Sequence, residues 1–138
     1  NICFNGTMRY TPSIISDIKI LEEIGYDVKG KIDFLYVIST TEFAIQNANK
    51  RSTEQRRVDT EFVVNARKKS VENIVNLLDG VSELSPYMRN TYIVFNSPDN
   101  ASYYPGTSLV KDFKYMKITK NDTDKIANFK QSLKDTYA

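Results

Sequence analysis

One apolar run most restricts the folds that this chain can adopt. Residues 32–38 are Ile-Asp-Phe-Leu-Tyr-Val-Ile, and apolar side chains occupy all five positions of 34–38. So dense a run is typical of a central strand that helices cover, because a half-exposed strand alternates apolar and polar residues. The chain has 138 residues, the size of one domain. We therefore expect this strand to lie in a single core.

Helical patterns stand on both sides of this run. Upstream, isoleucine and leucine recur at three- and four-residue spacing after Pro12, and Gly25 marks the end of the pattern. Downstream, an apolar stripe extends from about residue 55 to residue 79, and Gly80 ends it. Both patterns predict amphipathic helices. The polar segment 42–54 predicts a loop or a frayed helical lead-in to the second helix.

Three further strands and a last helix complete the predicted order. Apolar and aromatic residues predict strands over 2–10, 91–95 and 109–119, and Asp122 or Thr123 caps a C-terminal helix. The order β-α-β-α-β-β-α predicts an α/β fold of the α+β type. We expect a two-layer sandwich with a mixed four-stranded sheet and two long helices on one face. Residues 1–138 form one domain in this prediction, with 120–138 as an additional helix.

The composition excludes several kinds of chemistry. With no histidine and one cysteine, the chain cannot form a His-based triad, a His-containing zinc site or a Cys-x-x-Cys redox motif. We expect no metal and no cofactor. Cys3 stands between Ile2 and Phe4, which predicts a buried, inert thiol. The net charge of +2 is too small to indicate a nucleic-acid partner. No apolar run approaches the roughly 18 residues of a membrane span.

Hydroxyl groups and a carboxylate follow the apolar run, at Ser39, Thr40, Thr41 and Glu42. Ligands usually meet such groups at the ends of strands that crossover helices connect. The same residues also fit the N-cap of a helix, and both interpretations stay open. A site here could hold a charged ligand between Glu42 and Arg67. Nothing in this group of residues indicates that the site cleaves a bond in the ligand.

The second helical stripe contains a cluster of basic residues, which are Arg56, Arg57, Arg67, Lys68 and Lys69. One interpretation is a solvated face that neighbouring acids balance. The other makes Arg67 a clamp for a carboxylate or phosphate, because a planar guanidinium can bind either group bidentately. The loop 98–106 is a further candidate, since Tyr103 and Tyr104 form either a binding platform or part of the loop's own packing.

The order of elements and two local patterns resemble the OmpA-like domain, which is also found at the C-terminus of MotB-type motor stator proteins. The first pattern is Ile2-Cys3-Phe4 followed by Pro12 and an amphipathic helix. The second is Val63-x-x-x-Arg67-x-x-Ser70-Val71-x-x-Ile74-Val75. It is similar to the family's helix signature Leu-Ser-x-x-Arg-Ala-x-x-Val-x-x-Tyr-Leu, with Arg67 in the place of its arginine. The resemblance covers about residues 2–119.

This resemblance implies a non-enzymatic domain of the periplasm or cell envelope that binds peptidoglycan non-covalently. In the family, an aspartate after the second strand and the helix arginine hold the charged ends of diaminopimelate in the stem peptide. The aspartate position falls here among Thr40, Thr41 and Glu42, so the implied ligand-binding residues are these three and Arg67. A degenerate member that binds a protein partner, or that forms a homo-oligomer, is an open alternative on the same scaffold.

Two other classes of function also remain open. Residues 2–28, with Gly6-Thr7-Met8-Arg9-Tyr10 ahead of the first helix, are similar to the opening of nucleoside 2-deoxyribosyltransferase-like proteins. Those enzymes bind a nucleotide or nucleoside at that first loop, which would place a pocket at residues 6–9. A structural assembly domain, such as a part of a virion or secretion machine, needs no ligand site at all.

Overall fold

The described part of the chain consists of four α-helices, a short 3-10 turn and one three-stranded sheet. A computed structural model describes residues 2–4, 6, 8–49, 59–96 and 114–135. In chain order the elements are α1 (Thr11–Glu23), β1 (Ile32–Ile38), α2 (Thr41–Asn49), α3 (Thr60–Leu78), the 3-10 turn (Ser85–Tyr87), β2 (Met88–Phe95), β3 (Lys114–Thr119) and α4 (Thr123–Asp135). No helix in this part of the chain has the length and apolarity that a membrane crossing requires.

The sheet is mixed, with β2 in the middle. β1 pairs with β2 in parallel, and β2 pairs with β3 in antiparallel orientation. Leu35 stands opposite Tyr92, which in turn stands opposite Lys117. Because a parallel pair cannot be joined by a tight hairpin, the chain returns from the end of β1 to the start of β2 through α2 and α3.

The core lies on one face of the sheet. Alternate residues of β1 point into it, together with Ile93 of β2 and Ile118 of β3, which are completely buried. Three helices close the core from the same side. Their buried contributions are Ile18 of α1, Ile74, Leu77 and Leu78 of α3, and Phe129 of α4.

The prediction of a central, helix-covered strand at 32–38 is wrong, because β1 is an edge strand of the described sheet. Phe34, Tyr36 and Ile38 are buried, whereas Leu35 is 67% and Val37 52% exposed. Buried and exposed residues therefore alternate along the strand, although apolar and polar residue types do not. The second sheet face carries no helix in the described residues, and apolar side chains on that face stay in contact with solvent.

The N-terminal stretch also differs from its prediction. None of the described residues among 2–10 lies in a strand, so the predicted first strand is not found there. The Cys3 thiol, predicted to be buried, is exposed. Met8 is the residue of this stretch that enters the core, and it does so with a positive φ of 57°.

The other elements follow the predicted pattern with shifted bounds. The predicted helices at about 12–24 and 55–79 are present as α1 and α3, and β2 begins three residues earlier than predicted. The segment predicted as a loop or lead-in contains a nine-residue helix, α2. Residues 50–58 and 97–113 lie outside the described residues, so the starts of the predicted second helix and last strand are not described.

The C-terminal helix is part of the same core. Phe129 of α4 has no exposed surface, and Ile126 and Leu133 pack beside it at three- and four-residue spacing. An aromatic side chain buried to this extent contributes several kcal/mol through transfer from water and close packing.

We therefore expect Phe129→Ala to lower the free energy of unfolding by about 3–5 kcal/mol. The measurement is urea denaturation followed by circular dichroism. Asn128→Ala is the matched control, because it changes an exposed residue of the same helix and should stay within about 0.5 kcal/mol of wild type. Equal effects of the two substitutions would contradict a core role for α4.

A single carboxylate connects β3 to α4. The Asp122 carboxylate accepts hydrogen bonds from the Thr119 backbone N–H at 2.8 Å and from the Thr119 hydroxyl at 2.9 Å. These bonds lower the pKa of Asp122, and the nearby ammonium groups of Lys125 and Lys117 lower it further. A lowered pKa means that the folded state binds the proton less readily than the unfolded chain does.

The contribution of the Asp122 charge should accordingly be complete above the unfolded pKa of about 3.9 and disappear as the pH falls through the folded value. We expect Asp122→Asn to be less stable than wild type between about pH 5 and 8, with the difference shrinking towards pH 3. Urea denaturation across this pH range measures it. Asp124→Asn removes an exposed carboxylate from the same turn and should show a smaller difference; a pH-independent gap for Asp122→Asn would contradict the linkage.

Candidate functional site

The candidate site lies where the carboxyl ends of β1 and β2 meet. The Asn96 backbone N–H donates to the Ile38 carbonyl at 2.8 Å, which extends the parallel pairing to the last residue of β1. Ser39 and Thr40 then connect β1 directly to α2. Both parallel strands end here. Their last backbone groups and the start of α2 therefore lie together at the carboxyl end of the sheet.

Thr40 serves as the N-cap of α2. Its hydroxyl accepts a hydrogen bond from the Phe43 backbone N–H at 3.0 Å, and its carbonyl accepts one from Ala44 at 3.0 Å. The capping interpretation of this residue is thus observed directly. The cap fixes the direction in which α2 leaves the strand end, and Thr41 and Glu42 form the first turn of that helix.

Arg67 reaches this strand end from α3. It precedes the buried residues Ser70 and Ile74 by three and seven positions, so it continues the buried stripe of the helix. Its Nε–H donates to the Ser39 carbonyl at 2.9 Å. The bond joins positions 28 residues apart and holds the guanidinium beside the site that the sequence predicted for it.

The guanidinium lies in a partly apolar environment. Burial lowers the pKa of Arg67, and the neighbouring Tyr36 raises it. Burial also raises the pKa of the Tyr36 phenol, while the Arg67 charge and a hydrogen bond with Ser70 lower it. Ser70 in turn donates to the Ala66 carbonyl at 2.9 Å. Arg67 is therefore a partly desolvated cation, and partial desolvation strengthens its attraction for an anion.

Glu42 and Thr41, in the first turn of α2, differ in exposure. Glu42 is exposed and Thr41 is half-buried. No salt bridge joins Glu42 to Arg67 among the described ion pairs. An acidic residue at the start of α2 and Arg67 of α3 thus lie near the same strand end, where α2 begins and where Arg67 contacts Ser39.

The rest of the predicted basic cluster does not join the site. Lys68 and Lys69 are exposed, and Lys69 lies 3.9 Å from Glu72 on the same helix. Arg56 and Arg57 lie outside the described residues, as do Tyr103 and Tyr104 of the predicted aromatic platform. Of the five basic residues, the described structure brings Arg67 alone to the strand end.

Two residues of the loop that the enzyme hypothesis requires, Met8 and Arg9, make contacts with α3. The Asn73 side-chain amide donates to the Met8 carbonyl at 2.6 Å and to the Arg9 carbonyl at 3.1 Å. The Arg9 guanidinium lies 4.9 Å from the centre of the Phe62 ring, within range for a cation–π interaction. These contacts attach residues 8 and 9 to α3.

An open depression of about 380 Å³ lies at the C-terminal end of α3, away from Arg67. It is lined by Leu77, Leu78, Asp79, Gly80, Ser82, Ser85, Pro86, Met88 and Lys120. Its hydroxyl groups already participate in local structure, since the Ser85 hydroxyl donates to the Leu77 carbonyl at 2.9 Å. The depression is therefore separate from the residues predicted to bind a ligand.

Three groups of the site were not predicted from the sequence: the Ser39 carbonyl, Tyr36 and Asn96. Tyr36 had a recognisable signal, because it is the polar-tipped member of the apolar run and such side chains usually find a partner when buried. The other two contribute backbone atoms, which carry no residue-specific signal.

The described residues form no cluster of acidic or thiol side chains that could hold a metal ion. Comparisons with protein-family models, with curated proteins and with solved structures find no match to this chain.

Removal of the Thr40 cap should destabilise the fold measurably. We expect Thr40→Ala to lower the free energy of unfolding by about 1 kcal/mol, within a range of about 0.5–2, because the Phe43 N–H loses its acceptor. Thr40→Ser keeps the hydroxyl and should retain most of the stability. Urea denaturation of both variants decides the matter, and equal losses would show that the hydroxyl does not cap α2.

Proposed function

We propose that this chain is a non-enzymatic domain that binds the carboxylate of a peptidoglycan stem peptide, as OmpA-like domains do, and that it acts in the periplasm or cell envelope. One observation carries the proposal: the partly buried Arg67 guanidinium stands at the carboxyl end of β1, fixed by its bond to the Ser39 carbonyl. This is the place that the family's helix arginine would occupy relative to the second strand.

The chemistry of the ligand follows from the two charged groups. A guanidinium offers planar, paired N–H donors, which match the two oxygens of a carboxylate better than an ammonium does. Glu42, exposed in the first turn of α2, is suited to an ammonium group. Diaminopimelate carries both groups at the end of its side chain. The Thr41 hydroxyl is available for a further contact, whereas Thr40 is committed to the cap.

The proposal includes a two-layer arrangement of the whole domain. Its support is that α1, α3 and α4 share one core with one face of the sheet. The first strand of the resemblance, at residues 2–10, has no counterpart among the described residues, so the proposed sandwich has a three-stranded layer. The Arg67 site does not require that strand, since Arg67 lies on α3 and donates to the Ser39 carbonyl at the end of β1.

A protein-binding version of the same scaffold is the second candidate. The observation that favours it is the open sheet face, on which Leu35, Val37 and Tyr115 are all more than half exposed. Isolated exposed apolar residues are common, but these lie on one face in adjacent rows of the sheet. This version requires no ligand at Arg67.

Binding to two synthetic stem peptides distinguishes the candidates. One peptide contains meso-diaminopimelate at its third position, and the other contains L-lysine, which lacks the side-chain carboxylate. We expect the first to bind more tightly by about 10- to 100-fold, because a charge-assisted hydrogen bond contributes about 1.5–3 kcal/mol. Isothermal titration calorimetry measures both affinities, at two salt concentrations to separate specific from screened binding.

Variants then assign the preference to Arg67. Arg67→Lys keeps the charge but loses the planar donor pair, and it should abolish most of the discrimination between the two peptides. Lys68→Ala removes an exposed cation from the same helix and should bind as wild type does. Circular dichroism confirms the fold of each variant. Equal affinity of wild type for both peptides, or equal effects of the two substitutions, would contradict the proposal.

A further inference from the structure

The outer edge of β1 presents a row of backbone hydrogen-bonding groups. The Ile38 carbonyl accepts from Asn96 on the β2 side. Because backbone groups point to alternate sides along a strand, the even-numbered residues of β1 face β2 and the odd-numbered ones face outward. Asp33, Leu35 and Val37 therefore direct their N–H and C=O groups away from the sheet. In the described part of the chain, no strand pairs with this edge.

The β1 edge lacks most of the usual devices that prevent strands from pairing; its one irregularity is a register shift against β2 between Ile32 and Asp33, at the start of the strand. Natural edge strands are commonly short, bulged inward, or marked by lysine or proline. Residues 32–38 contain neither lysine nor proline, and their single charged residue, Asp33, is ion-paired with Arg89 of the neighbouring strand. Leu35 and Val37 are exposed beside the free backbone groups. The edge is thus largely apolar and seven residues long, and no described residue pairs with it.

We propose that this edge pairs with the β1 edge of a second copy of the chain, antiparallel and centred on Leu35. A twofold axis at Leu35 places Leu35 opposite its own symmetry mate and Asp33 opposite Val37 of the other copy. These three pairs use all six outward-pointing N–H and C=O groups of each strand, because the two residues of a hydrogen-bonded pair exchange both bonds. The closed twofold symmetry ends the assembly at two copies.

The side chains are compatible with this register. Asp33, Leu35 and Val37 all lie on the open face of the sheet. The pairing brings Leu35 against Leu35 and each Asp33 against Val37, so no like charges stand opposite each other. The result is a continuous six-stranded sheet. A standard protein interface buries about 800 Å² on each partner, and strand pairing alone buries less than that. The dimer should accordingly dissociate on dilution.

Sedimentation velocity of the whole chain, from about 5 to about 500 µM, tests the dimer. We expect the mass to rise with concentration from 15.8 kDa towards twice that value. Leu35→Lys sets two ammonium groups across the axis and should weaken the dimer by about tenfold or more. Tyr115→Lys changes a residue of similar exposure on the same face, but on β3, and should leave the dimer unchanged.

The sedimentation results distinguish a dimer paired through the β1 edges from a monomer and from a dimer packed through its sheet faces. Wild type that stays monomeric throughout would overturn the proposal. Equal weakening by Leu35→Lys and Tyr115→Lys would also overturn it, because that result indicates that sheet faces, rather than edges, meet. Circular dichroism of each variant establishes that a loss of mass reflects dissociation of folded chains.

Cysteine cross-linking tests the register independently of affinity. In a Cys3→Ser background, which removes the exposed native thiol, Leu35→Cys places two cysteines at Cα positions about 5.5 Å apart, within reach of a disulfide. Val37→Cys places its two copies about 13 Å apart along the strands, out of reach. Mild oxidation should give covalent dimers of the first variant and not of the second. Equal cross-linking of both, or of neither, would exclude the proposed register.

Discussion

The parallel pairing of β1 with β2 is the constraint on which the rest of the structure depends. Two neighbouring parallel strands end on the same side of the sheet, at their carboxyl ends. The chain must therefore cross back over the sheet before it can form the second strand. In this protein α2 and α3 make that crossing, and α3 supplies Ile74 and Leu77 to the core. The same crossing carries Arg67 past the end of β1. The position of the candidate site is thus a consequence of the topology.

Arg67 contributes to structure as well as to the proposed site. Its bond to the Ser39 carbonyl satisfies a backbone acceptor at a strand end and joins α3 to the start of the crossing. A cation that is partly desolvated must have such partners, because burial of an unpaired charge costs several kcal/mol. The bond also holds the guanidinium in one orientation, which lowers the entropy that ligand binding would otherwise cost. Loss of binding in a variant of this residue therefore has meaning only alongside a measurement of folding.

Much of the fold was predictable because several segments have clear periodicity. The spacing of apolar residues predicted α1 and α3, and the Arg67 position followed from the helix that carries it. β1 was predicted as a strand but with the wrong burial, since Leu35 and Val37 are apolar on a face that no described element covers. A sequence pattern shows which residues are apolar, but it does not show whether another element of the fold covers them. The polar α2 was missed for a related reason: its cap at Thr40 and its two buried residues, Phe43 and Ala48, give a weak periodic signal.

The proposed dimer and the proposed ligand site are geometrically compatible. The free edge lies along β1, whereas Arg67 stands beyond the end of that strand at Ser39. In the antiparallel register each Ser39 is four residues from the axis at Leu35, so the two sites lie about 27 Å apart along the sheet at opposite ends. They would face a polymer that carries many identical stem peptides. Two weak sites held at a fixed spacing bind such a polymer more tightly than either site alone, because the second contact forms at a high effective concentration. A dimer that dissociates on dilution would then be stabilised by the polymer itself, since simultaneous occupation of both sites favours the paired state.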